Sequence, residues 1–116
     1  MKDERLYLQH IIESYEYIKE YIAFGKEDFL KSHLLQNATI KVLANITESA
    51  SNLKEETRLE YTQIPWATVK SFRNVLVHDY LGDLEYEEVW QIINESLPDL
   101  VDVARKILKE KYETEI

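Results

Sequence analysis

The residue types able to do chemistry gather in one ten-residue stretch, Ser71-Phe72-Arg73-Asn74-Val75-Leu76-Val77-His78-Asp79-Tyr80. It presents a guanidinium, an amide, an imidazole, a carboxylate and a phenol. Imidazole exchanges protons near neutral pH, and a guanidinium stays cationic and can grip two anionic oxygens at once. On a helix, Asn74 and His78 are four residues apart and share a face, so the amide can hold the ring. Arg73 and Tyr80 share another face. Arg73 and His78, five residues apart, diverge by roughly 140° at the α-helical pitch. Spacing alone leaves two readings open, a surface ion pair with a capping histidine or a site for proton transfer on an anion. In the second reading the divergence needs a remedy. Either the helix loosens near His78, or two such helices complete the site at a two-fold dimer interface.

No other cluster competes with this segment. His10 and His33 lack a chemical neighbourhood, Glu87 and Glu88 read as a solvated face, and Tyr7, Tyr15, Tyr17 and Tyr21 read as helix packing. The chain has no cysteine, and no His/carboxylate group stands at ligand spacing, so no metal and no cofactor are expected.

The elements that must position the segment are helical. Leu8, Ile11, Tyr15, Ile18 and Ile22 recur at three- and four-residue steps, predicting a helix from about Asp3 to Phe24 that ends at Gly25. Lys26 to His33 is a polar connection with room for a short helical turn. A second long helix is predicted from about Leu34 to Glu56, with Leu35, Ala38, Val42, Ile46, Ser49 or Ala50, and Leu53 facing inward. Ile64-Pro65-Trp66 opens the third, since proline suits a first helical turn. It runs to about Tyr80, buries Trp66, Val69, Phe72 and Leu76, and stops at Gly82. Asp83 is the expected N-cap of a shorter helix through Asn94, burying Leu84, Val89, Trp90 and Ile93. Ser96-Leu97-Pro98-Asp99 reads as a fresh helix start. That last helix carries Val101, Ala104, Ile107 and Leu108 inward and ends in a frayed, charged tail.

With two glycines, two prolines, no alternating strand pattern and no repeat, the fold class is all-α. The expectation is an antiparallel bundle of four long helices plus one shorter helix, forming a single domain over residues 1–116. The amino-terminal residues carry charges of both signs, without the apolar run of a signal peptide, and no segment could span a membrane; the expected location is the cytoplasm. A net charge of −8 means that any contact with nucleic acid must be local. Lys70 and Arg73 stand together, Arg105, Lys106, Lys109 and Lys111 cluster near the end, and Asp83 to Asp99 holds only acidic charges. The acidic stretch suits a basic partner protein.

Arg73-Asn74-Val75-Leu76-Val77-His78-Asp79-Tyr80 resembles the R-x4-H-x-Y signature of HepT-like HEPN ribonucleases, toxins of the MNT/HEPN toxin–antitoxin family. Ile64-Pro65-Trp66 resembles that family's "IPW" helix entry. Gln36-Asn37-Ala38 with Ile46-Thr47-Glu48-Ser49-Ala50 is similar to its second helix, and Val89-Trp90 and Leu97-Pro98-Asp99-Leu100 to its closing segment. The resemblance covers nearly the whole chain in order. One departure is Thr47, where the family usually has glycine; altered helix packing without loss of chemistry is expected there. The resemblance implies a dimeric, metal-independent endoribonuclease in which the ribose 2′-OH attacks the adjacent phosphate. Arg73 and His78 would be catalytic, with Asn74 orienting His78 or binding phosphate. It also implies a partner MNT-type nucleotidyltransferase, the antitoxin, which attaches AMP to Tyr80. The alternative is a non-catalytic helical subunit that binds such a nucleotidyltransferase and helps it hold substrate.

Overall fold

The computed structural model describes residues 3–63 and 66–112. Ile64 and Pro65, the expected entry to the third helix, lie outside the described residues, as does the tail beyond Tyr112. Every regular element among the described residues is helical: α1 (Glu4–Ile22), α2 (Lys26–Lys31), α3 (His33–Ser51), α4 (Glu55–Glu60), α5 (Ala67–Leu81), α6 (Tyr86–Gln91), a π-helical segment (Ile92–Ser96) and α7 (Leu97–Tyr112). The expected four long helices are α1, α3, α5 and α7. The short ones are α2, α4 and α6.

Helix α1 packs against α3 and α7, and α3 packs in turn against α5. Leu8, Ile11 and Ile18 of α1, Leu43 and Ile46 of α3, Phe72 of α5, and Ile107 and Leu108 of α7 have no exposed surface. Full burial of each such side chain contributes about 1.5–3 kcal/mol. Tyr15 and Ile22 lie half-buried at the edge of this core. On α5 the inward positions are Val69, Phe72 and Val75, while Leu76 is only partly covered.

Glu4, at the start of α1, is the one acidic side chain taken into the interior among the described residues, at 3% exposure. Its carboxylate accepts hydrogen bonds from the Lys54 N–H (2.7 Å), the Thr57 hydroxyl (2.9 Å) and the Tyr112 hydroxyl (2.7 Å). The start of α1 therefore meets the segment after α3 and the end of α7, so α1 runs antiparallel to both. The same contact explains why the second long helix stops at Ser51 rather than near Glu56. Asn52 caps it, Leu53 turns into the core, and the Lys54 N–H goes to Glu4 before α4 begins.

Phe29 converts the polar connection into a packed helix. It is fully buried and meets Trp90 and Tyr86 at ring-centroid distances of 5.4 and 6.3 Å, fixing α2 against α6. Lys26 adds an exposed ion pair to Glu87 at 2.9 Å.

Two expected features at the carboxyl-terminal end are overturned. Asp83 is not an N-cap, because α6 begins at Tyr86 after an extended Glu85. Nor does a new helix start at Ser96, because α6 passes through the π-helical segment directly into α7. The Leu97 N–H reaches back to the Ile92 carbonyl, one residue further than in an α-helix. Pro98 has no N–H to give, and its ring would press on the carbonyl four residues back. Widening the turn ahead of it relieves that conflict without breaking the chain. Buried Ile93, Leu97 and Leu100 hold the rod on the core through the wider turn.

Candidate active site

Helix α5 carries all four expected site residues, with Arg73 and Asn74 at the hollow beside the end of α3 and His78 at the turn that ends α5. Trp66 leads into the helix, its indole N–H shared between the carbonyls of Arg58 (3.0 Å) and Tyr61 (2.8 Å). Phe72 and Val75 seat the helix on the core, leaving Arg73, Asn74, Val77, His78 and Tyr80 exposed.

Arg73 leans toward the end of α3, where its guanidinium Nη2 donates to the Ser51 hydroxyl. It helps line a hollow of about 310 Å³ with Ser51, Arg58, Trp66, Lys70 and Asn74. Asn74 thus sits beside Arg73. Among the described residues it makes no hydrogen bond to His78, so the expected amide–imidazole pairing does not form.

His78 has a different partner. Its Nδ1 lies 3.0 Å from the Asp83 carboxylate Oδ1. Asp83 reaches it because α5 ends in a Schellman-type turn. Gly82 takes the left-handed conformation (φ 80°), its N–H returns to Asp79 and His78, and the Asp83 N–H donates to the His78 carbonyl at 3.1 Å. Glycine is suited to that φ because it has no Cβ to clash. A carboxylate on Nδ1 selects the tautomer with its proton there and leaves Nε2 free to take a proton. Both partners remain solvent-accessible, His78 at 54% and Asp83 at 62% side-chain exposure.

Asp83 is the partner of His78 that sequence reasoning does not place at the site. Its signal was present as His78-Asp79-Tyr80-Leu81-Gly82-Asp83: a glycine closing a helix pairs the next residue's N–H with the carbonyl five positions back. Reading Asp83 forward, as the cap of the following helix, hid that backward pairing.

Tyr80 is 89% exposed, and the neighbouring apolar side chains Val77 and Leu81 are 54% and 64% exposed. Thr47, the departure from the glycine, is buried, and its hydroxyl donates to the Leu43 carbonyl at 2.8 Å within an unbroken α3. The substitution is accommodated inside its own helix. Among the described residues no three His, Cys, Asp or Glu side chains converge as a metal site would require, and no helix is long and apolar enough to cross a membrane.

A protein of Methanocaldococcus jannaschii named "Gamma-glutamylcyclotransferase and putative RNase" is 36% identical over 110 residues, covering 94% of this chain and 49% of that protein. The chain thus spans about half the length of that relative. A "Putative RNase" of Caldanaerobacter subterraneus subsp. tengcongensis is 32% identical over 112 residues, 96% of this chain and 99% of the relative. The "Probable ribonuclease HepT" of Thermococcus cleftensis is 32% identical over 106 residues, 89% and 94% of the two chains. No solved structure matches significantly. The sequence profile of the family described as "Ribonuclease HepT-like" matches residues 11–107, an interval that contains α3, α5, the Arg73–His78 segment and Asp83, and the chain belongs to that family.

Proposed function

We propose that this chain is an endoribonuclease of the HepT-like toxin class, a single domain that cleaves RNA without a metal ion or cofactor. The observation that carries the reading is the arrangement on α5. A histidine tethered at Nδ1 by Asp83 keeps Nε2 for proton transfer, and an exposed arginine on the same helix has no carboxylate partner among the described residues.

In the reaction, a base removes the proton from the ribose 2′-OH as its oxygen attacks the adjacent phosphorus. The bond to the 5′-oxygen breaks, and that oxygen takes a proton from an acid. The products carry a 2′,3′-cyclic phosphate and a 5′-OH. His78 Nε2 supplies the proton transfer, while Arg73 leaves the Ser51 hydroxyl to grip phosphate oxygens as negative charge grows on them. Asn74, beside Arg73, adds an amide donor for phosphate.

Because Arg73 and His78 diverge on α5, the complete site forms in a homodimer, where the arginine of one chain meets the histidine of the other. The exposed Val77, Tyr80 and Leu81 supply apolar surface for that association. Tyr80, with its ring in solvent, is accessible to a partner MNT-type nucleotidyltransferase. AMP attached there places a phosphate beside Arg73 and blocks RNA. The pair operates in the cytoplasm as a toxin–antitoxin system.

The test is cleavage of total cellular RNA by purified protein in EDTA, wild type beside His78→Ala. Cleavage by wild type alone, leaving cyclic-phosphate ends, supports the reading. A folded, unmodified dimer that cleaves nothing moves the function to a non-catalytic nucleotidyltransferase-binding subunit. The acidic run from Asp83 to Asp99 would then be its docking face.

A further inference from the structure

Acidic side chains outnumber basic ones 22 to 14 in this chain, yet one hollow reverses that balance. Arg58, Lys70 and Arg73 all line it, together with Ser51, Trp66 and Asn74, and no carboxylate does. None of the three cations forms an ion pair with a described residue. Its volume, about 310 Å³, falls at the small end of the range that holds compact ligands, about 300–1,000 Å³. Trp66 is oriented by the two carbonyls that share its N–H. With its polar edge turned to backbone, the indole offers a ligand carbon surface. Arg58 is brought to the hollow by α4, which Glu4 and Lys111 hold through the buried Thr57 hydroxyl. The hollow is therefore built from both sides: α5 contributes Lys70, Arg73 and Asn74, and the clasped α4 contributes Arg58.

Cations next to an aromatic face, without a carboxylate, match the chemistry of an unpaired nucleotide, whose base stacks while its phosphate is neutralised. We propose that this hollow is a subsite for the nucleotide next to the cleaved bond, with its base on Trp66 and its phosphate on Arg58 and Lys70. The proposal builds on the ribonuclease reading in taking the strand to be RNA. Lys70 lies one helical turn from Arg73, so the two can hold successive phosphates. A duplex keeps its bases stacked on each other and cannot offer one to Trp66, so the subsite selects single strands.

Binding tests this apart from cleavage. A fluorescein-labelled single strand with 2′-O-methyl sugars has no nucleophilic hydroxyl, and its affinity is read by fluorescence anisotropy in EDTA at two salt concentrations. The wild-type protein is expected to bind it at least about tenfold more tightly than a duplex of the same sequence. Replacing both Arg58→Gln and Lys70→Gln removes two phosphate contacts. The slope of log affinity against log salt should fall by about 1.4, from the single-strand value of roughly 0.7 per contact. Trp66→Leu is expected to weaken binding about tenfold with the slope unchanged. Trp66→Phe, which keeps a ring, should retain most of the binding and guards against a misfolded Leu variant. Equal affinity for strand and duplex, or an unchanged slope in a helical Arg58/Lys70 variant, overturns the subsite. So does displacement of the strand by ATP at micromolar concentration, which would make the hollow a mononucleotide pocket. If the binding pattern holds but wild type fails to cut a strand carrying 2′-OH groups, the subsite stands and the ribonuclease reading falls.

Discussion

His78 Nδ1 and Asp83 Oδ1 lie 3.0 Å apart, joined across the turn that ends α5. The pairing fixes which imidazole nitrogen is available, so Asp83 is expected to act on the reaction through His78. Asp83→Asn keeps the size of the side chain but no longer favours the proton on Nδ1. Cleavage should drop by about 10–100-fold, the size of effect known for carboxylates that orient a metal-bound histidine. Affinity for a non-cleavable strand should be unchanged. Cleavage within twofold of wild type would show that Asp83 is only a surface ion-pair partner.

Gly82 makes that pairing possible, and its role is separable from packing. A Cβ built there meets no atom within 4 Å, while φ is +80°. Gly82→Ala therefore meets only backbone strain, about 1–2 kcal/mol for a left-handed L-residue. Urea denaturation should show that loss, and cleavage should fall as well, because a relaxed turn moves Asp83 from His78. Gly82→Asn, better tolerated in this conformation, should lose less of both. Full stability in Gly82→Ala would mean that the turn is not held as described.

Much of this was legible from periodicity. The four long helices follow from three- and four-residue spacing of Leu8, Ile11 and Ile18, of Val42 and Ile46, of Val69 and Phe72, and of Ala104, Ile107 and Leu108. That spacing is a local property of a buried helical face. What sequence reasoning missed depends on partners distant in sequence. Glu4 looks like any acidic residue in a first turn until Lys54, Thr57 and Tyr112 converge on it, 50 to 108 positions away. Phe29 was lost among charged neighbours because a single anchor in a six-residue helix has no period. Pro98 carries the same local signal at a helix start and after a π-turn, and only the buried side chains around it decide between them. At the candidate site, residue types together with the family resemblance single out Arg73, Asn74, His78 and Tyr80 as candidates, but a helical wheel could not supply Asp83, which arrives from beyond the helix end.

The divergence of Arg73 and His78 on α5 leads to a mixing experiment. If the site joins an arginine from one chain to a histidine from the other, Arg73→Ala and His78→Ala proteins are each inactive alone. Unfolded and refolded together, they form some dimers in which one composite site has both side chains intact, as two-fold symmetry requires. Recovered cleavage is expected, up to about a quarter of the wild-type level by random pairing. No recovery, with mixed dimers verified by native mass spectrometry, would place the site within one chain.

The Glu4–Tyr112 hydrogen bond makes stability depend on pH at both ends of the scale. Burial pushes the Glu4 carboxyl up, but hydrogen bonds from the Lys54 N–H, Tyr112 and Thr57, with the Lys111 charge nearby, outweigh it. The net value lies below the ordinary 4.5. A carboxylate depressed in the folded state stabilises the fold above its unfolded value. That contribution is lost as pH falls from 4.5 toward the lower folded value. Tyr112 behaves conversely. Burial, then its hydrogen bond to Glu4 and the Glu4 charge, push it up from 10.0 to about 12. Its neutral form is favoured by folding, so stability is retained up to about pH 10 and lost as pH rises toward about 12. Urea midpoints measured across pH should show both declines. Glu4→Gln should flatten the acid limb. Tyr112→Phe should weaken the fold at neutral pH by about 1.5–3 kcal/mol, the range for a hydrogen bond to a charged group. It should also flatten only part of the alkaline limb, because burial raises Tyr61 and Tyr86 too. An acid limb as steep in Glu4→Gln as in wild type would show that other carboxylates govern acid unfolding and that the clasp contributes little.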